Sequence, residues 1–152
     1  MRFYDREKEQ QVLGEVLHRS KSEAKMTVLM GRRRIGKTEL SQRCGDETVL
    51  YFFVGKKAET LLCQDYVREI REKLDAPILG TPNTFSEVFR FVLQLSENRP
   101  FTLVIDEFQN FLKINPAIFS DIQRDWDLHK GKSHLNLIIS GSVFTLMTKI
   151  FE

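Results

Sequence analysis

One octapeptide, Gly31-Arg32-Arg33-Arg34-Ile35-Gly36-Lys37-Thr38, constrains the fold more than any other stretch of the chain. It fits the Gly-x-x-x-x-Gly-Lys-[Ser/Thr] pattern, in which backbone amides cradle a phosphate. Met26-Thr27-Val28-Leu29-Met30 before it is short and apolar and reads as a buried strand. Thr38-Glu39-Leu40-Ser41-Gln42-Arg43 after it reads as the first turns of a helix. Strand, loop and helix in that order are the context the pattern requires. Each position has a physical task. The two glycines let the backbone curl with its N–H groups inward, and the helix start adds its positive dipole end. Lys37 brings a point charge to the β- and γ-phosphates, and the Thr38 hydroxyl is a candidate Mg2+ ligand. The candidate nucleotide-binding residues are therefore Gly31, Arg32, Arg33, Arg34, Ile35, Gly36, Lys37, Thr38 and Glu39. The bland alternative is a glycine-rich turn that binds nothing.

The rest of the chain supplies the sheet such a loop needs. Residues 5–20 read as a helix capped by Asp5, with Val12, Leu13, Val16 and Leu17 as its apolar stripe. Thr48-Val49-Leu50-Tyr51-Phe52-Phe53-Val54 is β-branched and aromatic, a second strand. Leu62, Tyr66, Ile70 and Leu74 recur at helical spacing from about Glu59 to Leu74, and Asp75-Ala76-Pro77 ends that helix. Thr84 is placed to cap another, with Phe85, Val88, Phe89 and Val92 on one face. Phe101-Thr102-Leu103-Val104-Ile105 is continuously apolar, as expected of a parallel strand buried on both faces. Residues 108–112 read as a short connection, and Pro116 opens a helix running to about His129. Leu135-Asn136-Leu137-Ile138-Ile139 is a fourth strand, ending in Ser140-Gly141-Ser142, and a last helix starts at Val143. Four alternations of strand and helix predict one α/β domain with a parallel sheet over residues 1–152.

In open α/β sheets the ligand lies beyond the carboxyl ends of the strands. Three strands deliver polar groups there: the phosphate loop, Asp106-Glu107 and Ser140. Two carboxylates directly after an apolar strand are costly unless solvated or used. Asp106 at this place reads as a Mg2+ ligand acting through water, and Glu107 as the group that polarises the attacking water. The alternative is a carboxylate that only caps the following turn. Ser140 reads either as a hydrogen-bond donor to the γ-phosphate or that water, or as a strand-ending turn. Glu107, Lys37 and Ser140 are the catalytic candidates, and Thr38 and Asp106 the metal candidates.

Composition removes several classes. With 41% hydrophobic and 29% charged residues the chain can bury a core, and a net charge of +2 argues for neither nucleic acid nor an anionic membrane. No apolar run approaches the ~20 residues of a membrane span, and the charged N-terminus lacks a signal-peptide core. Cys44 and Cys63 have no metal-ligand spacing and read as reduced thiols of a cytoplasmic protein, with a disulfide between them as the alternative.

Taken together, Phe3-Tyr4-Asp5-Arg6-Glu7-Lys8-Glu9, the phosphate loop, Val104-Ile105-Asp106-Glu107-Phe108-Gln109 and Ile138-Ile139-Ser140-Gly141-Ser142 resemble the AAA+ ATPases and the related STAND signalling ATPases. Within these they are most similar to a predominantly archaeal ATPase family that also occurs in bacteria. The resemblance implies a P-loop NTPase fold, a three-layer α/β/α arrangement with strand order 5-1-4-3-2. It also implies that the segment around Phe3, Tyr4 and Arg6 helps hold adenine. The fifth strand, helical lid and C-terminal region of that family are not found before Glu152, so the expectation is the N-terminal part of an ATPase domain. The phosphate-loop strand is then expected at an exposed sheet edge, open to a homo-oligomeric or other protein partner. No later arginine is available as a finger, because Lys149 is the sole basic residue beyond His134.

The sequence thus predicts an ATP- and Mg2+-binding domain that hydrolyses ATP weakly or not at all as this chain, coupling nucleotide state to conformation. The main rival is a non-hydrolysing, ATP-dependent switch, with any association with DNA left to a missing C-terminal domain. A GTPase ranks low, since neither Asp-x-x-Gly after the strand nor Asn-Lys-x-Asp is present. A small-molecule kinase lacks a recognisable acceptor site and an arginine-bearing lid.

Overall fold

The computed structural model describes residues 3–4, 23–30, 48–78 and 80–141. Among them a five-stranded, all-parallel sheet forms from β1 (Phe3–Tyr4), β2 (Lys25–Met30), β3 (Val49–Phe53), β4 (Phe101–Asp106) and β5 (Leu135–Gly141). Its order is β1-β2-β5-β4-β3. Every residue of β4 and β5 is buried, the pattern of central strands covered on both faces. The order of β2, β5, β4 and β3 matches the expected 1-4-3-2.

The described helices are α1 (Glu59–Leu74), α2 (Phe85–Leu95), α3 (Phe111–Ile114) and α4 (Ala117–His129). α1 buries Leu62, Cys63, Tyr66, Val67, Ile70 and Leu74, the i, i+3/i+4 stripe of an amphipathic helix. It stops where Asp75 turns left-handed (φ 49°) and its N–H bonds the Arg71 carbonyl. α2 begins with the Thr84 hydroxyl accepting the Glu87 N–H at 3.4 Å, while the Glu87 carboxylate accepts the Asn83 N–H at 3.3 Å. Alternate strand residues split between two faces. Val28, Leu50, Phe52, Leu103, Ile105, Leu137 and Ile139 meet the helices in the main core. Leu29, Val104 and Ile138 point to the other face with Val49 and Tyr51. The predicted helices over residues 5–20, after Thr38 and from Val143 lie outside the described residues.

Three differences from expectation have physical causes. The phosphate-loop strand is not a bare edge, because Phe3 pairs with Val28 and Tyr4 with Leu29. The chain's own N-terminal segment takes the position assigned to a missing fifth strand. Residues 108–112 are not an open connection: a 3₁₀ turn over Phe108–Asn110 runs into α3, since Phe108 and Phe111 must both reach the core. Ser140 and Gly141 belong to β5 rather than to a turn, since they pair with Leu29 and Met30. The opposite edge, β3, is blunted by α1: the Glu69 carboxylate accepts the Tyr51 N–H at 2.7 Å and Lys73 donates to the Val49 carbonyl at 3.1 Å.

Cys63 is free and buried in α1. Burial, with the charges of Glu59 and Glu87 adding to it, pushes its thiol up to about 12. Thiolate is the reactive form. In a Cys44→Ser background, Ellman's reagent at pH 8 is therefore expected to leave Cys63 untouched until denaturant is added; rapid labelling of the native chain would refute this.

Candidate nucleotide site at the carboxyl edge of the sheet

β4 delivers Asp106 to the carboxyl edge with 1% of its surface exposed. A buried carboxylate needs hydrogen bonds to offset lost hydration. Asp106 has two among the described residues: the Glu107 N–H donates to Oδ1 at 2.9 Å, and the Tyr51 hydroxyl donates to Oδ2. Its backbone carbonyl accepts the Val54 N–H at 2.9 Å. The strand end is therefore held through both side chain and main chain.

Glu107 follows in the left-handed region (φ 57°, ψ 41°), which non-glycine residues adopt at a cost of roughly 1–2 kcal/mol. The next residues account for the conformation. Phe108 and Phe111 are fully buried among aromatic rings, with Phe108–Phe111 centroids 5.5 Å apart and Phe85–Phe111 4.8 Å apart. A reversal at Glu107 lets the chain leave the sheet edge and drive Phe108 into the helix-side core. The Asn110 N–H closes the turn on the Glu107 carbonyl at 3.0 Å, and the Asn110 amide donates to the Val54 carbonyl at 2.8 Å. The Gln109 amide donates to the Glu107 carboxylate at 2.5 Å. Glu107 thus stands, partly exposed, on a rigid mount.

Ser140 is 4% exposed. Asp106 and Ser140 each follow a residue of the Ile105–Ile139 pair, so they leave neighbouring strands at the same level of the edge. Their alternation with Val104 and Ile138 points both to the same face. On the other side of β5, Ser140 pairs with Leu29 and Gly141 with Met30. Met30 ends β2 at this same edge, and the next residue in sequence is Gly31, the first of the predicted phosphate loop.

Asp106, Glu107 and Ser140 are therefore brought together with the origin of the loop. Gly31, Arg32, Arg33, Arg34, Ile35, Gly36, Lys37, Thr38 and Glu39 lie outside the described residues, as does Arg6. The backbone of Phe3 and Tyr4 runs beside the loop strand. Reasoning from sequence missed Tyr51 and Gln109 as contributors. Alternation along β3 puts Tyr51 on the Asp106 face, a signal usable once β3 is known to neighbour β4. Gln109 sits two residues beyond Glu107, close enough in sequence to suggest a contact. For a metal, the oxygen donors at this edge among the described residues are the Asp106 and Glu107 carboxylates and the Ser140 hydroxyl. That chemistry fits a hard cation such as Mg2+, which takes one or two protein oxygens and completes its shell with phosphate and water.

Residues 18–144 match the AAA domain family, well over half the chain. The chain belongs to that family. An uncharacterized protein of Methanocaldococcus jannaschii is 30% identical over 145 residues, covering 95% of this chain and 30% of that protein. The Walker-type ATPase PABY2304 of Pyrococcus abyssi superposes with a TM-score of 0.64 at 19% identity, over 93% of this chain and 47% of that one. Cdc6p from Pyrobaculum aerophilum gives 0.61 at 21% identity, over 94% and 40%. At these identities the two structures speak for the fold, a P-loop ATPase α/β domain. The chain spans less than half the length of each of the three. Membership of the AAA domain family carries nucleotide binding and ATPase chemistry as the family's general character. Among the described residues, no helix is long and apolar enough to cross a membrane.

Proposed function

We propose that this AAA domain binds Mg·ATP at the carboxyl edge of its sheet and hydrolyses it slowly to ADP and phosphate, coupling nucleotide state to conformation. The observation that carries the reading is the convergence of Asp106, Glu107 and Ser140 on the edge from which the phosphate loop starts. In this reading Lys37 and the loop amides neutralise phosphate charge, and Thr38 and Asp106 hold the cation. Glu107 takes the proton of the attacking water, and Ser140 senses the γ-phosphate. Bound Mg2+ supplies charge neutralisation across the phosphates. The mount beneath Glu107 supports the general-base role, because positioning is most of what phosphoryl transfer asks of a protein. Phe3, Tyr4 and Arg6 are proposed to flank adenine, a placement supported by the β1–β2 pairing. A cytoplasmic setting, in keeping with the free Cys63, and the archaeal STAND-like subtype belong to the same reading.

A second reading is a switch that binds ATP without turning it over. The Gln109–Glu107 bond favours it, because a carboxylate already engaged by an amide has less capacity to accept a proton from water. Calorimetry with and without Mg2+, followed by single-turnover hydrolysis with protein in excess, separates the two. The enzyme reading expects Mg2+-dependent binding and measurable ADP formation. Binding without turnover would leave the switch, and no binding at all would overturn both.

A further inference from the structure

We infer that Tyr51 is a positioning residue for Asp106, its hydroxyl holding the carboxylate in the orientation that receives a Mg2+-bound water. The inference rests on the proposed reading of Asp106 as a metal-holding group.

Geometry makes the contact specific. Tyr51 lies opposite Val104, two residues before the Phe53–Asp106 pair, so it shares the face of Asp106. Diagonal neighbours on adjacent strands lie about 7–8 Å apart, a gap a tyrosine side chain spans. The base of the side chain is fixed because the Tyr51 N–H is bonded to Glu69 at 2.7 Å. The terminal torsion of an aspartate is otherwise broad and nearly two-fold. Donors on opposite oxygens, one from β3 and one from the Glu107 main chain, remove that freedom. Neither donor carries a charge, so the carboxylate keeps its own for a cation. An ionised carboxylate offers about four acceptor positions, so two hydrogen bonds leave room for a metal-bound water. Supporting groups of this kind typically contribute 10–100-fold to metal affinity.

A purely structural tyrosine would satisfy a buried oxygen and do no more. The two roles differ in metal dependence. In the experiment, Mg2+ is titrated against a fixed fluorescent ATP analogue on the 152-residue chain, and metal-free affinity for the analogue is measured alongside. Tyr51→Phe is expected to raise the Mg2+ midpoint about tenfold while metal-free affinity stays as in the parent. Tyr51→Met, which also lacks the hydroxyl, takes its place if the phenylalanine variant does not fold. Asp106→Asn, of nearly equal volume, is the reference and is expected to raise the midpoint further. A shift in Asp106→Asn with none in the Tyr51 variants would overturn the inference alone. No shift in Asp106→Asn would remove Asp106 from the metal site, and the inference with it.

Discussion

Lys37→Ala is expected to abolish measurable binding of Mg·ATP, with calorimetric heats falling to those of dilution. A lysine ammonium facing two phosphates makes charge-assisted bonds, each worth about 1.5–3 kcal/mol. Losing two of them weakens binding by about 100-fold or more at 1.4 kcal/mol per decade. Alanine leaves Gly31, Gly36 and Thr38 unchanged, so the loss reports on the charge. A thermal melt that matches the parent would confine the effect to the ligand. Parent-like affinity in Lys37→Ala would defeat the assignment of residues 31–38 as the phosphate site. The same substitution in a chain also carrying Asp106→Asn should add little if, as proposed, both residues serve one ligand, since their effects are then not independent.

Local signals carried much of this structure. The periodicity over about residues 59–74 predicts α1, since its stripe is regular and Asp75-Ala76-Pro77 ends it. Continuous apolar runs mark β4 and β5 because central parallel strands bury both faces. Asp106 and Glu107 were legible because charge immediately after such a run has few inexpensive explanations. What escaped was pairwise. Two residues, Phe3 and Tyr4, have no period to read, and only the partner strand makes them a strand. The Tyr51–Asp106 bond joins positions 55 apart in sequence, and nothing near Tyr51 announces a carboxylate. Glutamate is a poor indicator of a left-handed turn, so the conformation of Glu107 follows from where Phe108 and Phe111 must go. The strand order came from resemblance to a family. Periodicity alone supports several orders for four parallel strands.

Glu107→Gln is expected to bind Mg·ATP as the parent does and to lose hydrolysis, by about 10²–10⁴-fold if Glu107 is the general base. The Glu107 contacts described above survive the substitution. Glutamine has the same length and occupies the left-handed backbone position no less readily than glutamate. Its carbonyl oxygen can still accept from the Gln109 amide, and the Asn110 N–H bond to the main chain is untouched. The Asp106 Oδ1 bond also survives, because its donor is the backbone N–H of residue 107. What disappears is the carboxylate's ability to take a proton from water. The proposed reading expects slow turnover, since catalysis without an arginine finger is slower by about 10³–10⁵-fold by analogy with GTPases. The measurement is therefore a single turnover with protein in excess and γ-labelled ATP, followed over hours. Hydrolysis at the parent rate in Glu107→Gln would remove Glu107 from its role. A parent rate equal to the background of protein-free ATP would favour the switch, with the Gln109–Glu107 bond as the first contact to break by Gln109→Ala.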